Sequence, residues 1–106
     1  MYVRMTFFKV ENGKMDSLRD LYNRDVISAH KHHKGIRFAH LLECLDDTNE
    51  GISVTAWDTK ADLDAYETSG DYERLRGLFN EMYSGVPTLR SYEVTASSEP
   101  ILLRIF

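Results

Sequence analysis

Apolar and polar positions alternate from the first residue. Met1, Val3, Met5 and Phe7 fall on one face of an extended segment and Tyr2, Arg4, Thr6 and Phe8 on the other, so residues 1–10 are predicted as a strand. Glu11-Asn12-Gly13-Lys14 reads as a turn. Beyond it the period changes: Met15, Leu18, Tyr22, Val26 and Ala29 recur at three- and four-residue spacing, with Leu21 widening the stripe, which predicts a helix. Lys31, Lys34 and Gly35 suit a helix C-terminus, so that helix is expected to stop near His33. Alternation returns from Ile36 to about Leu45, with Ile36, Phe38, His40, Leu42 and Cys44 on one face and Arg37, Ala39, Leu41 and Glu43 on the other. The polar loop 46–51 and a strand from Ile52 to Trp57 complete an antiparallel hairpin.

Asp58-Thr59 offers a cap for a short helix over 60–68, and Ser69-Gly70-Asp71 interrupts and restarts it. Tyr72, Leu75, Leu78, Phe79 and Met82 form the stripe of a further helix that ends at Gly85, before Pro87. A fourth strand is expected over 88–96, a turn over 97–100, and a last apolar run over 101–106. The order strand, helix, strand, strand, helix, strand is that of an α+β, ferredoxin-like split βαβ fold: a four-stranded antiparallel sheet with helices on one face. The chain is read as a single domain, 1–106. The sheet face away from the helices keeps Phe38 or Leu41, Tyr92 and their neighbours, and large exposed apolar patches mark interfaces, so a homodimer with sheets face to face is expected. Six residues as apolar as Ile101-Leu102-Leu103-Arg104-Ile105-Phe106 need cover, and pairing of the tail 97–106 with the partner subunit is one solution.

Charge and composition narrow the function. Thirteen Lys plus Arg against 17 Asp plus Glu give a formal charge of −4, which argues against non-specific nucleic-acid binding. The single cysteine, Cys44, excludes an internal disulfide framework and a multi-cysteine zinc site. No apolar run approaches the roughly 20 residues of a membrane span. Met1-Tyr2-Val3-Arg4 does not open a signal peptide, so a cytoplasmic location without membrane association is the expectation.

The most specific stretch is Trp57-Asp58-Thr59-Lys60-Ala61-Asp62-Leu63-Asp64-Ala65-Tyr66-Glu67-Thr68-Ser69-Gly70-Asp71-Tyr72. A strand ending in Trp, a capped short helix, then Ser and an aromatic opening the next helix resemble the antibiotic-biosynthesis-monooxygenase-like superfamily of dimeric α+β barrel proteins. Asn12-Gly13-Lys14 leading into a helix and a glycine before the second strand extend the resemblance over roughly residues 1–96. The resemblance implies a ferredoxin-like subunit in a dimeric α+β barrel. Its functions include cofactor-free oxygenases, heme-degrading oxygenases and isomerases. Two positions depart from the family pattern: Tyr66 stands where a His is frequent, and Gly70-Asp71 where Pro-His is common. The heme-degrading subgroup needs an Asn in the first strand, a Trp in the second helical segment and an axial His one helix on. Thr6, Tyr66 and Arg76 stand there, and a permanently charged guanidinium cannot ligate iron.

By this resemblance the expected function is a cofactor-independent monooxygenase-like protein acting on a small aromatic or quinone-type compound. The alternatives are a non-catalytic dimeric small-molecule-binding or stress-associated protein and an isomerase of a small oxygenated metabolite. No cofactor and no metal are expected. Trp57, Tyr66 and Phe79 are the expected pocket wall, against the plainer reading as core aromatics. Tyr72 is a second candidate hydrogen-bond donor to a substrate oxygen. Arg4 or Arg76 suits a substrate carboxylate, against surface ion pairing. His40, on an otherwise apolar strand face, is the candidate general base, against a hydrogen-bonded histidine at a dimer interface. His30 and His33 share a helix face at metal-binding spacing, but the flanking Lys31 and Lys34 repel a cation, so a cationic helix end is preferred. Cys44 reads as a small buried apolar residue.

Overall fold

The computed structural model describes residues 1–29 and 32–99. Four strands, β1 (Tyr2–Lys9), β2 (Ile36–Glu43), β3 (Glu50–Trp57) and β4 (Thr88–Glu93), form one antiparallel sheet in the order β2-β3-β1-β4. The helices are α1 (Met15–Leu21), continued by a π-helical segment (Tyr22–Ile27), α2 (Lys60–Glu67) and α3 (Gly70–Asn80). This is the α+β, ferredoxin-like arrangement expected from the sequence.

Side-chain alternation separates two faces of the sheet. Ala39 and Leu41 pack with Tyr22, Val26 and Leu75, which assigns odd-numbered positions of β2 to the helix side. Cross-strand partners then line up in rows. On the helix side, Ala39, Thr55, Arg4 and Ser91 form one row and Leu41, Ser53, Thr6 and Leu89 the next. On the opposite face the rows are Phe38, Ala56, Val3 and Tyr92, then His40, Val54, Met5 and Arg90. Met1, Val3, Val54 and Ala56 are a buried cluster there, joined by Met5, Phe38, Ile52 and Val94. The centre of the helix-side face is thus the more polar of the two.

Local chemistry explains the helix starts. Thr59 is extended and its hydroxyl accepts the Asp62 N–H at 3.0 Å, capping α2. Ser69 does the same for α3, accepting the Tyr72 N–H at 3.2 Å. The restart expected at 69–71 is therefore a cap that turns the chain by one residue. Gly35, at φ +81°, sits against Asp62: a Cβ built there would overlap the Asp62 carboxylate. Only glycine fits so close to α2 in that conformation.

Several boundaries differ from expectation, and α3 ends at Asn80 and not at Gly85. The first helix is α-helical only to Leu21, widens into the π segment, and is in a turn at Ser28 and Ala29, short of His33. Strand β3 starts two residues earlier, at Glu50, and β4 ends at Glu93 rather than 96. His30, Lys31 and the apolar run 101–106 lie outside the described residues, so the His30–His33 pair and the tail pairing do too. Among the described residues no helix is long and apolar enough to cross a membrane, and no group of three or more His, Cys, Asp or Glu is placed to hold a metal.

Candidate functional site

The polar rows of the sheet do not meet a close-packed helix layer. Between them and the helices lies an inner chamber of about 90 Å³. Thr6, Ser53 and Thr55 form its floor, and Tyr22, Tyr66 and Phe79 are among its walls. It leads into a vestibule of about 530 Å³ that shares Arg4, Glu67, Tyr72, Arg76 and Leu89 with it and extends to Gly85 and the exposed Val86. Clefts lined by aromatic side chains with a few convergent polar groups are the usual form of small-molecule sites.

The aromatic wall is a continuous stack. Trp57, fully buried at the end of β3, lies 4.9 Å from Tyr66 between ring centroids, and Tyr66 lies 5.2 Å from Tyr72 edge to face. The indole N–H donates to Thr55 Oγ1 at 2.9 Å, which fixes both side chains behind the chamber. The two helix caps place Tyr66 near the end of α2 and Tyr72 in the first turn of α3, so the cap sequence 69–72 sets the spacing of the two phenols. Across the chamber, Tyr22 in the π segment donates its hydroxyl to the His40 carbonyl oxygen at 2.9 Å. π-Helical turns often occur at functional sites, and here Tyr22 and Val26 both line the chamber.

Burial sets the proton chemistry of the phenols. It pushes Tyr22 up to about 12, partly offset by a hydrogen bond with Ser53, and pushes Tyr83 up to about 12 as well. Tyr66 is raised in the same direction by burial and then by the nearby Asp71 carboxylate. At neutral pH these groups are neutral hydrogen-bond donors. Arg4 crosses the neck of the site: Nη2 donates to Glu67 Oε2 at 2.7 Å and Nη1 to Ser91 Oγ at 2.8 Å. Behind Tyr66 a second cluster closes a small recess. His33 Nε2 lies 3.0 Å from Asp71 Oδ2, and the imidazole meets the Tyr66 ring edge-on at 4.7 Å. Hydrogen bonding from Arg74, and secondarily from His33, holds the Asp71 carboxyl below its ordinary range.

Four of the residues expected at a site, Tyr66, Tyr72, Arg76 and Phe79, come together in this cavity. Trp57 stands one layer back, as the support of Tyr66. His40 does not join them. Its side chain is exposed on the opposite sheet face, stacked on Phe38 at 4.4 Å, and only its backbone carbonyl turns toward Tyr22. Strand alternation forbids a side chain at position 40 from sharing a face with Ala39 and Leu41, so a base role for His40 in this chamber is corrected. His33, expected at the end of a helix, instead bridges to α3. Sequence reasoning missed Tyr22, Ser53, Thr55 and Glu67 as site residues. For Ser53 and Thr55 a signal existed, since with Thr6 they put hydroxyls at interior positions of strands where apolar residues are the rule.

With that geometry in hand, comparison with known proteins is informative. The model of the family described as antibiotic biosynthesis monooxygenase matches residues 1–78. The chain belongs to this family. The match takes in Arg4, Tyr22, Trp57, Tyr66, Glu67, Tyr72 and Arg76, whereas Phe79 and the vestibule residues 85–89 follow it. No curated protein matches the chain in sequence. Among solved structures it is similar to Rv0793 from Mycobacterium tuberculosis, with 17% identity, 92% of this chain and 98% of that one covered, and a TM-score of 0.78. It is also similar to a variant of SnoaB, a cofactor-independent oxygenase from Streptomyces nogalater, with 9% identity, 92% and 96% covered, and a TM-score of 0.80. At such identities these two proteins share the fold with this chain of the antibiotic biosynthesis monooxygenase family, and the contents of the cavity have to be read from its own residues.

Proposed function

We propose that this chain is a cofactor-independent monooxygenase-like protein that takes a small aromatic or quinone-type compound into the chamber, acting as a homodimer. The observation that carries the reading is the chamber itself: a hydroxyl-bearing sheet floor facing the wall Tyr66, Tyr72 and Phe79, in a member of this family. An electron-rich phenol or hydroquinone, once ionised, passes an electron to dioxygen, and a closed apolar chamber protects the intermediate from water. When a ring-flanked methylene becomes a carbonyl, one oxygen atom enters the product and the other leaves as water, with the substrate supplying all four electrons. Tyr72 and Tyr66 donate hydrogen bonds to the substrate oxygens, and Trp57 keeps the Tyr66 ring in place. Among the described residues Glu67 is the one carboxylate lining the chamber, and it is the group placed to accept a proton. The exposed apolar positions of the outer face, Leu42 and Tyr92, with Tyr92 44% exposed, supply the dimer face, where His40 then lies.

A second reading, a ligand-binding protein without turnover, is favoured by one observation: the described residues lining the chamber include no histidine. A thermal-shift screen with hydroquinones and small phenols, followed by oxygen uptake on each hit, separates the two. A ligand at about a hundred times its Kd adds about 2.7 kcal/mol, a clear rise in Tm. Stoichiometric oxygen uptake with no added reductant supports the oxygenase; binding without uptake leaves the binder; no binding of any aromatic refutes both.

A further inference from the structure

The neck between chamber and vestibule carries more positive charge than the protein around it satisfies. Arg4 and Arg76 both line the two spaces, and Glu67 is the single carboxylate among the described residues that does so. The local balance is two cations to one anion, in a chain whose formal charge is −4. Arg4 rises from the central strand β1, its side chain only 21% exposed, and is incompletely satisfied. Its two terminal nitrogens are used by Ser91 and Glu67, but Nε is buried and has no acceptor. A buried charged donor without a partner is costly, and native structures seldom retain one without a reason. Arg76 arrives from α3 and has no ion-pair partner among the described residues.

We propose that the neck is a recognition site for one carboxylate, so that the ligand is a monoanionic aromatic acid, its ring in the chamber and its carboxylate between Arg4 and Arg76. This rests on the aromatic-chamber reading and adds the ligand's charge to it. A guanidinium presents its N–H groups in a planar fork that matches the two oxygens of a carboxylate, and the match is strongest where water is excluded. Glu67 occupies Arg4 through one oxygen in the free protein and competes with the ligand for it. Val86 borders the vestibule and Leu89 borders both spaces, and these apolar side chains leave the charged wall as the electrostatic guide.

The test uses one ring with and without the charge. Binding of benzoate and of benzamide to the full chain is measured by calorimetry at low and high salt. The expected result is a preference of about tenfold or more for the acid, weakened by salt, with the amide unaffected by salt. Arg76→Gln, at an exposed helix position, removes most of that preference, read as the ratio of acid to amide affinity. Glu67→Gln raises benzoate affinity several-fold by taking away the competing carboxylate. Equal binding of acid and amide overturns the inference and leaves the aromatic chamber standing. A preference for the acid that survives Arg76→Gln and falls with Glu67→Gln also overturns it. Binding of neither probe overturns the chamber reading and this inference with it.

Discussion

Alkaline pH is the perturbation that tests the interior of this site most directly. Tyr22 is 2% exposed, donates to the His40 carbonyl, and is pushed by burial up to about 12. In the unfolded chain a tyrosine loses its proton near pH 10. Between those values the unfolded state has shed a proton that the folded state keeps. Stability is therefore fully present below about pH 10 and falls as pH rises, by ~1.4 kcal/mol per unit for each such phenol. From Tyr22 alone the loss approaches about 3 kcal/mol by pH 12, a large share of a typical 5–15 kcal/mol. Tyr83, also raised to about 12 by burial, and Tyr66, raised by burial and by Asp71, act in the same direction. Urea unfolding at half-unit steps above about pH 8, followed by Trp57 fluorescence, gives the slope; phenolate absorbance of the folded protein gives the titration. Tyr22→Phe costs about 1 kcal/mol at neutral pH through the lost hydrogen bond, and its alkaline slope is shallower by one proton's worth. Lys60, raised chiefly by its hydrogen bond to Asp64, has the same sign but is exposed, and it cancels between the two proteins. If all tyrosines of the folded protein ionise together near pH 10, and the two slopes coincide, Tyr22 is solvated and the closed chamber is wrong.

Two further outcomes follow from geometry. Gly35→Ala and Gly13→Ala share a positive φ, +81° and +83°, but a Cβ meets Asp62 only at position 35. The first is expected to cost about 1 kcal/mol or more beyond the ~1 kcal/mol of backbone strain common to both, read as the difference in urea midpoints. Asp71→Asn removes the acceptor shared by Arg74 and His33; because the Asp71 pKa is depressed in the fold, its contribution is present above about pH 4 and lost below it. The variant and the parent should therefore differ in stability near neutral pH and converge as acid unfolds both, and a gap that persists at about pH 3 refutes the electrostatic account.

The element order was legible because each signal was local. Alternation in β1 and β2, the Thr59 and Ser69 caps, and the positive-φ glycines all act within a few residues of themselves. The first helix ended early for a reason periodicity cannot show: Tyr22 and Val26 keep four-residue spacing whether the turn is α-helical or widened. The cavity wall was legible in part, since Tyr66, Tyr72 and Phe79 fall near the interruption between two helices. The pairing of His33 with Asp71 joins residues 38 apart in sequence, and no local pattern announces it.

His40 shows where the argument from pattern failed and why the failure is informative. In sequence His40 is a candidate base because it stands between the apolar Phe38 and Leu42. An apolar strand face ordinarily meets the helices; in this sheet that is reversed at the centre. The helix-side rows carry Thr55, Arg4, Ser91, Ser53 and Thr6, while the outer rows carry Ala56, Val3, Val54 and Met5. A sheet that only served as a core would place the second set under the helices, since a buried polar group costs free energy unless something bonds to it. Several of the inner groups bond to other side chains, as Thr55 does with Trp57, Arg4 with Ser91 and Ser53 with Tyr22, and Thr6 borders the chamber where the proposed ligand would sit. On the apolar outer face Val3, Val54 and Ala56 are buried within the subunit, and Leu42 and Tyr92 stay exposed; those are what the proposed second subunit would cover. The same inversion therefore accounts for both the proposed pocket and the proposed dimer. Replacing the inner hydroxyl of Thr6 by Thr6→Val should weaken ligand binding without loss of stability; a destabilised protein that still binds would show that this hydroxyl serves the fold and not the site.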